Sequence, residues 1–209
     1  MTAVRVAVFD YRMSNLASVT KALEYVGAEV VVARGPAEAH GVDAVVLPGV
    51  GNFGQATKQL AEQGLDEAAR DAVREGTPLL GICLGMQLLF DDSEESPGAR
   101  GLGLISGSVR RLQTSLKVPN IGWRNVSWGD ERRETTAEAF YFVHSFVCKP
   151  NDPAQVLATA DHGGLFCAAA GGPDLMGVQF HPEKSSNVGL RLLSGWLSGV
   201  AARTSRTPA

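Results

Sequence analysis

The chain has 209 residues, of which 44% are hydrophobic and 20% charged, and its net charge is -3. These values are typical of one globular domain and argue against nucleic acid as the main partner. No apolar run of about 18 residues is present, so the sequence predicts no membrane-spanning helix. Three widely spaced cysteines, without a signal-peptide pattern, predict a reducing, cytoplasmic location.

Short apolar runs alternate with amphipathic segments in the first part of the chain. Strands are predicted at residues 4–9, 29–33, 44–47 and 79–83. We expect a helix capped by Ser14 and ended by Gly27, one or two helices between residues 53 and 76 broken near Gly64, and another over residues 84–90. Repeated strand–helix units predict a parallel sheet with helices on both faces.

Short strands separated by Gly, Pro and Asp follow, at residues 108–112, 140–147, 156–160 and 165–169. A buried strand at 177–180 and a helix at 188–197 close the pattern. The predicted fold class is therefore α/β, with an open, mostly parallel twisted sheet, helices on both faces and a smaller antiparallel sheet. We expect a single domain over residues 1–200 and a disordered tail over residues 201–209.

A cysteine ends the predicted strand 79–83 between two glycines, in the order Gly81-Ile82-Cys83-Leu84-Gly85. This spacing is typical of a nucleophile elbow, in which a reactive side chain sits on a sharp strand-to-helix turn. A lone cysteine after an apolar run is more often a core residue, and that interpretation is kept for Cys148 and Cys167. We expect the other polar candidates in loops, His40 and His162, to be solvated.

A possible base and its orienting carboxylate follow the last predicted strand, as His181 and Glu183. An imidazole that takes the thiol proton leaves a reactive thiolate, and a carboxylate fixes the imidazole tautomer. The carboxyl ends of parallel strands meet at one edge of the sheet, so these groups should converge with Cys83 there. The backbone N–H of Leu84 and that of Val50 or Gly51 are the predicted oxyanion donors.

The two motifs, Gly81-Ile-Cys-Leu-Gly-Met-Gln87 and Gly177-Val-Gln-Phe-His-Pro-Glu183, resemble the signatures of the class I glutamine amidotransferases. Further stretches resemble the glutaminase subunits of imidazole glycerol phosphate synthase, an enzyme of histidine biosynthesis. These are Asp10-Tyr11 with Asn15-Leu16, Leu47-Pro-Gly-Val-Gly51, Gly101-Leu-Gly-Leu104, Gly122-Trp123, Tyr141-Phe-Val-His-Ser145 and His181-Pro-Glu-Lys-Ser185. The resemblance runs from about Val4 to Leu197.

That resemblance implies a glutaminase that hydrolyses L-glutamine to glutamate and ammonia through a thioester on Cys83, with His181 and Glu183 completing the triad. It implies that the substrate is bound by Gln87, Glu95 and backbone groups of Gly51, Ser145 and Phe146. We predict neither a metal nor an organic cofactor. A peptidase-like hydrolase is the less favoured enzyme interpretation.

The resemblance also implies that ammonia passes through a tunnel to a (β/α)8-barrel cyclase subunit, with which the chain forms a heterodimer. The residues implied at or near that interface are Asp10, Tyr11, Arg12, Asn15, Asn120, Trp123 and Lys184. The family usually has glycine at positions 12 and 14 and histidine at 120, whereas this chain has Arg12, Ser14 and Asn120. A paralogue supplying ammonia to another synthase, or a catalytically silent binding module, therefore stays open.

Overall fold

The structure is a computed structural model that describes residues 3–129 and 138–204. Its strands are β1 (Arg5–Phe9), β2 (Glu29–Ala33), β3 (Ala44–Gly49), β4 (Leu79–Cys83), β5 (Asp92–Ser93), β6 (Gly107–Arg111), β7 (Asn120–Trp128), β8 (Glu138–His144), β9 (Phe146–Pro150), β10 (Val156–Asp161), β11 (Leu165–Gly171) and β12 (Leu175–Val178). Its α-helices are α1 (Leu16–Tyr25), α2 (Pro36–Ala39), α3 (Phe53–Glu62), α4 (Leu65–Arg74), α5 (Leu84–Leu88) and α6 (Ser186–Thr204). Short 3-10 helices cover Pro153–Gln155 and Pro182–Lys184.

Within the described residues, nine strands form one sheet in the order β2-β1-β3-β4-β12-β11-β10-β7-β8. The pairs from β2 to β12 are parallel, and those from β12 to β8 are antiparallel. A smaller sheet joins β5, β6 and β9, in which β5 and β6 are parallel and β6 and β9 antiparallel. The predicted fold class is confirmed.

Two hydrophobic clusters fill the two faces of the large sheet. Alternate residues of β1 divide between them: Val6 and Val8 belong to the cluster that contains α1 and α6 side chains, whereas Ala7 and Phe9 belong to the cluster with α3, α4 and α5. This division follows from the two-residue period of a strand. Because both faces are covered, the parallel strands are almost continuously apolar, as in β3 and β4.

Four details differ from the sequence prediction. The run 140–147 is not one strand, because it breaks at Ser145 into β8 and β9, which belong to different sheets. Strand β7 was missed, since its glycine-interrupted polar alternation resembles a loop. Asn15 rather than Ser14 occupies the N-cap of α1. Helix α6 runs to Thr204, so the predicted tail is helical at its start, and residues 205–209 lie outside the described residues.

The described residues contain no helix that is both long and apolar enough to cross a membrane. All three cysteines are free and buried. Cys148 and Cys167 are core residues, as predicted, and burial raises the pKa of the Cys167 thiol to about 12. His162 is not solvated as predicted: it is buried, with ring nitrogens 2.9 Å from the Lys117 carbonyl oxygen and 3.1 Å from an Arg124 nitrogen.

Candidate active site

The strand-to-helix turn at Cys83 has the strained backbone that the glycine spacing indicates. Cys83 ends β4, precedes the first residue of α5 and has φ 55° and ψ -108°, a positive-φ conformation that a non-glycine residue rarely adopts. A Cβ at position 81 would lie 2.8 Å from the carbonyl oxygen of Gly85, and one at position 85 would overlap the carbonyl of Leu47. Only glycine at these two positions allows α5 to pack this closely on the sheet.

Sheet order brings His181 to Cys83. Strand β12 pairs in parallel with β4, so the segment that leaves β12 emerges at the same edge as Cys83. The loop is then fixed by Ser185, whose buried hydroxyl donates to the His181 carbonyl at 2.6 Å and accepts from the Tyr141 N–H at 3.0 Å. The His181 N–H also donates to the Tyr141 carbonyl. The position of the imidazole therefore depends on β8 as well as on β12.

The imidazole of His181 is paired with a buried carboxylate. Nδ1 of His181 lies 2.8 Å from Oε1 of Glu183, and each side chain is only 1% exposed. Nδ1 has an acceptor as its partner, so it carries a proton. Nε2 has no hydrogen-bond partner among the described residues. That nitrogen is therefore available for proton exchange, as the triad prediction requires.

The electrostatics of this pair favour an imidazolium. Burial disfavours the charged ring, but the neighbouring Cys83 and then Glu183 act more strongly in the other direction, so the pKa of His181 rises from 6.5 to about 9. At neutral pH the ring can therefore hold the proton that leaves the thiol. A thiolate beside an imidazolium is the reactive form of a cysteine nucleophile.

Cys83 and His181 open into one cavity of about 430 Å³ at this edge of the sheet. The cavity is also lined by all the predicted oxyanion and substrate-binding positions, namely Val50, Gly51, Leu84, Gln87, Glu95, Ser145 and Phe146. Glu183 lies behind His181 and does not line it. Lys184 is the member of the predicted interface set among the lining residues.

The two predicted head-group ligands already have structural partners. One carboxylate oxygen of Glu95 accepts from the Phe53 N–H at 2.7 Å, at the start of α3, and the other is left for a cationic group. Nε2 of Gln87 donates to the Phe146 carbonyl at 3.3 Å and to Oε1 of Gln179 at 3.1 Å. Both N–H groups of Gln87 are thereby used, so its Oε1 is the atom that could contact a ligand.

Backbone groups of the β8–β9 junction are also partly occupied. The Ser145 carbonyl accepts from the Leu112 N–H, and the Phe146 carbonyl accepts from Gln87 and from Nδ1 of His144. If these two residues bind a carboxylate, as predicted, their N–H groups have to be the donors. The break in the strand at Ser145 is what turns this backbone toward the cavity.

The oxyanion prediction meets a specific obstacle at Val50. Its N–H donates to the carbonyl oxygen of Met13 at 2.8 Å, so in this structure it is not free to donate to an oxyanion in the cavity. The preceding peptide is held as well, because the Tyr11 hydroxyl donates to the Pro48 carbonyl at 2.7 Å. The segment from Tyr11 to Met13 thus fastens the loop at two points. Leu84, by contrast, begins α5, where an N–H has no intrahelical acceptor.

The tyrosine of this fastening is itself enclosed. Tyr11 is fully buried, and burial, together with the charge of nearby Cys83, raises the pKa of its hydroxyl. It is therefore a neutral hydrogen-bond donor at the back of the site. We missed this role in the sequence, where Tyr11 was assigned to the partner interface.

Sequence reasoning also missed His144, which lines the cavity. Burial, only partly offset by its bond to the Phe146 carbonyl, lowers the pKa of His144 to about 4. The ring is therefore neutral: Nδ1 donates to Phe146 at 2.9 Å, and Nε2 accepts from the Asn120 amide at 3.0 Å. Its place in the aromatic run of β8 gave no signal of this polar role. Pro119 and Val143 are further lining residues that were not predicted.

Positions predicted at the partner interface divide into exposed and buried groups. Arg12, Trp123 and Lys184 are exposed, and Asp10 and Asn15 are partly exposed. Tyr11 and Asn120 are fully buried in this chain, so they can support that face but do not form its surface. The assignment of the seven residues to a position at or near a partner interface stays a prediction.

Arg12 occupies a backbone conformation that explains the family's usual glycine. Its φ is 66°, in the left-handed region, which costs an L-residue other than glycine about 1–2 kcal/mol. The substitution is accommodated because the side chain is exposed and the Arg12 N–H bonds Asp10 at 3.3 Å. The chain thus keeps the glycine-type turn without the glycine.

Comparisons with known proteins show the family of the chain. The family model "Glutamine amidotransferase class-I" matches residues 7–194. Imidazole glycerol phosphate synthase subunit HisH of Methanopyrus kandleri is 46% identical over 201 residues, covering 95% of this chain and 100% of that protein. The subunit of the same name from Bacillus subtilis is 46% identical over 198 residues, covering 90% and 93%.

Solved structures support the fold. A glutamine amidotransferase crystal structure has a TM-score of 0.73 at 22% identity and covers 93% of this chain and 98% of that chain. The structure of PurLQS from Thermotoga maritima has a TM-score of 0.74 at 18% identity and covers 97% and 100%. From the family match and the full-length relatives, we conclude that the chain belongs to the class I glutamine amidotransferases.

Proposed function

We propose that this chain is the glutaminase subunit of an imidazole glycerol phosphate synthase, working in the cytoplasm in histidine biosynthesis. The observation that carries the proposal is the buried constellation of Cys83, His181 and Glu183, of which Cys83 and His181 line a cavity of about 430 Å³. Identity of 46% along nearly the whole chain to subunits of that name supports the pathway.

The proposed reaction follows from the geometry. The Cys83 thiolate attacks the side-chain amide carbon of L-glutamine, and His181 gives its proton to the departing ammonia. A glutamyl thioester is left on Cys83. Water, deprotonated by His181, then cleaves the thioester and releases glutamate. Glu183 keeps the imidazole oriented and stabilises its charge through both steps.

The substrate head group would be held at the far side of the cavity. The free oxygen of Glu95 suits an α-ammonium, and Oε1 of Gln87 can accept a second N–H from it. Backbone N–H groups of Gly51, Ser145 and Phe146 suit the α-carboxylate. The lining of the cavity by these five residues supports this assignment.

The chain would be a weak glutaminase by itself. An oxyanion needs donors beyond Leu84, and the Val50 N–H is engaged by Met13 in this structure. We infer that a rearrangement of residues 48–51 frees the Val50 or Gly51 N–H when a partner binds. The exposed Arg12 flanks both Tyr11 and Met13, so a partner that contacts it could act on this fastening.

The proposed partner is a (β/α)8-barrel cyclase, which receives the ammonia through a tunnel. Trp123 supports an interface because it is 49% exposed beside Ile121, which is 55% exposed on the same strand. Trp123 also packs edge-on against Tyr141, which makes it a rigid aromatic anchor. Charged Lys184 and Arg12 would complement acidic groups on the cyclase.

A paralogue serving another synthase is the second candidate, motivated by Arg12, Ser14 and Asn120. Full-length similarity to the histidine-pathway subunits favours the first candidate. Restored growth of a strain that lacks its histidine-pathway glutaminase would support it, whereas failure with folded protein would favour the paralogue. The buried triad also makes a silent binding module the weakest alternative.

The nucleophile is tested by Cys83→Ala, assayed for glutamine hydrolysis with the cyclase subunit of the same organism. We expect a loss of about 10⁴-fold or more, because the covalent route is removed. Cys167→Ala is a matched control, since that thiol is buried outside the cavity. Hydrolysis unchanged by Cys83→Ala would refute the proposed chemistry.

A further inference from the structure

Two glutamine side chains are hydrogen-bonded in series to Sγ of Cys83, and the proposed reaction assigns no role to the one nearer the sulfur, Gln179. Gln179 lies two residues before His181 and is fully buried. Its Nε2 is 3.7 Å from Sγ of Cys83, and its Oε1 is 3.1 Å from Nε2 of Gln87. Gln87 follows Cys83 by one helical turn, so α5 aligns it with the same sulfur.

The Phe146 carbonyl determines which atom donates in each hydrogen bond from Phe146 through Gln87 and Gln179 to Cys83. The Phe146 carbonyl can only accept, so Gln87 has to present its NH2 group there. The second N–H of that group points at Gln179, which therefore has to present its oxygen to Gln87. The amide of Gln179 then has only its NH2 group left for Cys83. Reversing either amide would place two donors or two acceptors against each other.

A fixed donor at the sulfur favours the thiolate over the thiol. An N–H bonds a negative sulfur more strongly than a neutral one, and the bond strengthens in a buried site. Sγ also lies 4.0 Å from the Val143 carbonyl, which can only accept from a protonated thiol. Gln179 and Val143 thus act in opposite directions, and the shorter contact belongs to the donor.

We propose that Gln179 is a positioning residue for the nucleophile, fixing Sγ of Cys83 by a hydrogen bond from its buried amide and stabilising the thiolate. Gln87 orients the amide of Gln179, so a ligand contact at Oε1 of Gln87 is linked to the state of the sulfur. The inference rests on the proposed function through the role of Cys83. It extends that function, because His181 is then not the sole group that prepares the thiol.

The test is the rate at which iodoacetamide alkylates Cys83 in the folded chain between pH 5 and 10, read by mass spectrometry of its peptide. The assay needs neither glutamine nor cyclase, so failure of the proposed function leaves its outcome intact. Gln179→Met keeps an unbranched side chain of similar size and removes the donor. We expect alkylation at pH 7 to slow about tenfold and the profile to move to higher pH, as for loss of one hydrogen bond to a charged group.

Val178→Ala is the matched control, because it removes buried contacts from the last residue of β12, next to Gln179 in sequence, and removes no side-chain donor. It should lower the melting temperature and leave the alkylation profile of Cys83 unchanged. If Gln179→Met does not fold, Gln179→Leu replaces it, because its apolar side chain also lacks a donor and should shift the profile in the same direction. A wild-type profile in the Gln179 variants, or an equal shift in Val178→Ala, would overturn the proposal.

Discussion

Two sides of the same cavity differ in whether their groups are arranged for the reaction. On one side, Cys83 lies on its strained turn and His181 and Glu183 are already paired behind it at 2.8 Å. On the other side, the segment of residues 48–51 at the end of β3, here called the loop, has its Val50 N–H bonded to the Met13 carbonyl. The proton-transfer groups are thus ready while the oxyanion donor is not. Control of the reaction is therefore expected in the loop rather than in the triad.

The difference has a physical origin in the two anchors. The triad depends on side chains fixed by the sheet and by the buried hydroxyl of Ser185. The loop depends on two hydrogen bonds to the segment from Tyr11 to Met13, next to exposed Arg12 at φ 66°. Disturbing the triad requires repacking the core, whereas the Val50–Met13 bond joins an exposed and a partly exposed residue and can break by a local change.

The largest loss of activity is expected when the hydrogen bond between His181 and Glu183 is disrupted. Glu183→Gln should lower the rate of cyclase-stimulated hydrolysis by about 10⁴-fold, since an amide cannot stabilise the imidazolium or enforce its tautomer. Steady-state kinetics with saturating cyclase measure the change. Glu94→Gln is the control, because the Glu94 carboxylate is exposed and bonds the Arg111 N–H instead. A loss of less than tenfold in Glu183→Gln would mean that His181 does not depend on this carboxylate.

A change in pH tests the triad side alone, because we expect His181 to change its protonation, whereas the bond between the Val50 N–H and the Met13 carbonyl carries no titratable group. The folded pKa of His181, about 9, is above its ordinary value of 6.5, so its protonation contributes to the stability of the folded state. That contribution is complete below about pH 6.5 and is lost as the pH rises to about 9. We expect the unfolding free energy of wild type minus that of His181→Asn to shrink across this window. Urea unfolding at several pH values measures it, and a difference that grows with pH would contradict the assignment.

The sequence predicted the features that depend on neighbouring residues and missed those that depend on residues far apart in sequence. The elbow at Cys83 and the residues after β12 were predicted because local spacing encodes them. The bond from Val50 to Met13 was not, because both partners are backbone groups and no residue type marks them. His144 and Gln179 were missed for a related reason: their roles arise where strands distant in sequence meet. Strand β7 and the break at Ser145 likewise depend on tertiary pairing rather than on local pattern.

The smallest of these effects should come from loosening the loop at the back. Tyr11→Phe removes the hydroxyl that donates to the Pro48 carbonyl and leaves the ring in place. The loop should then reach the orientation with a free Val50 N–H more often. We expect hydrolysis without cyclase to rise about fivefold, since one buried hydrogen bond contributes about 1 kcal/mol and about 1.4 kcal/mol is tenfold.

The rate with saturating cyclase should stay the same, so the degree of stimulation should fall by the same factor. Tyr25→Phe is the matched control. It makes the same chemical change at a residue that is 78% exposed and ends α1, away from the loop. Tyr11→Phe is informative in both directions. A higher unstimulated rate would place the restraint in the Tyr11–Met13 segment. An unchanged rate in a folded variant would mean that the Met13 carbonyl alone holds Val50, and the two-point fastening of the loop would have to be abandoned.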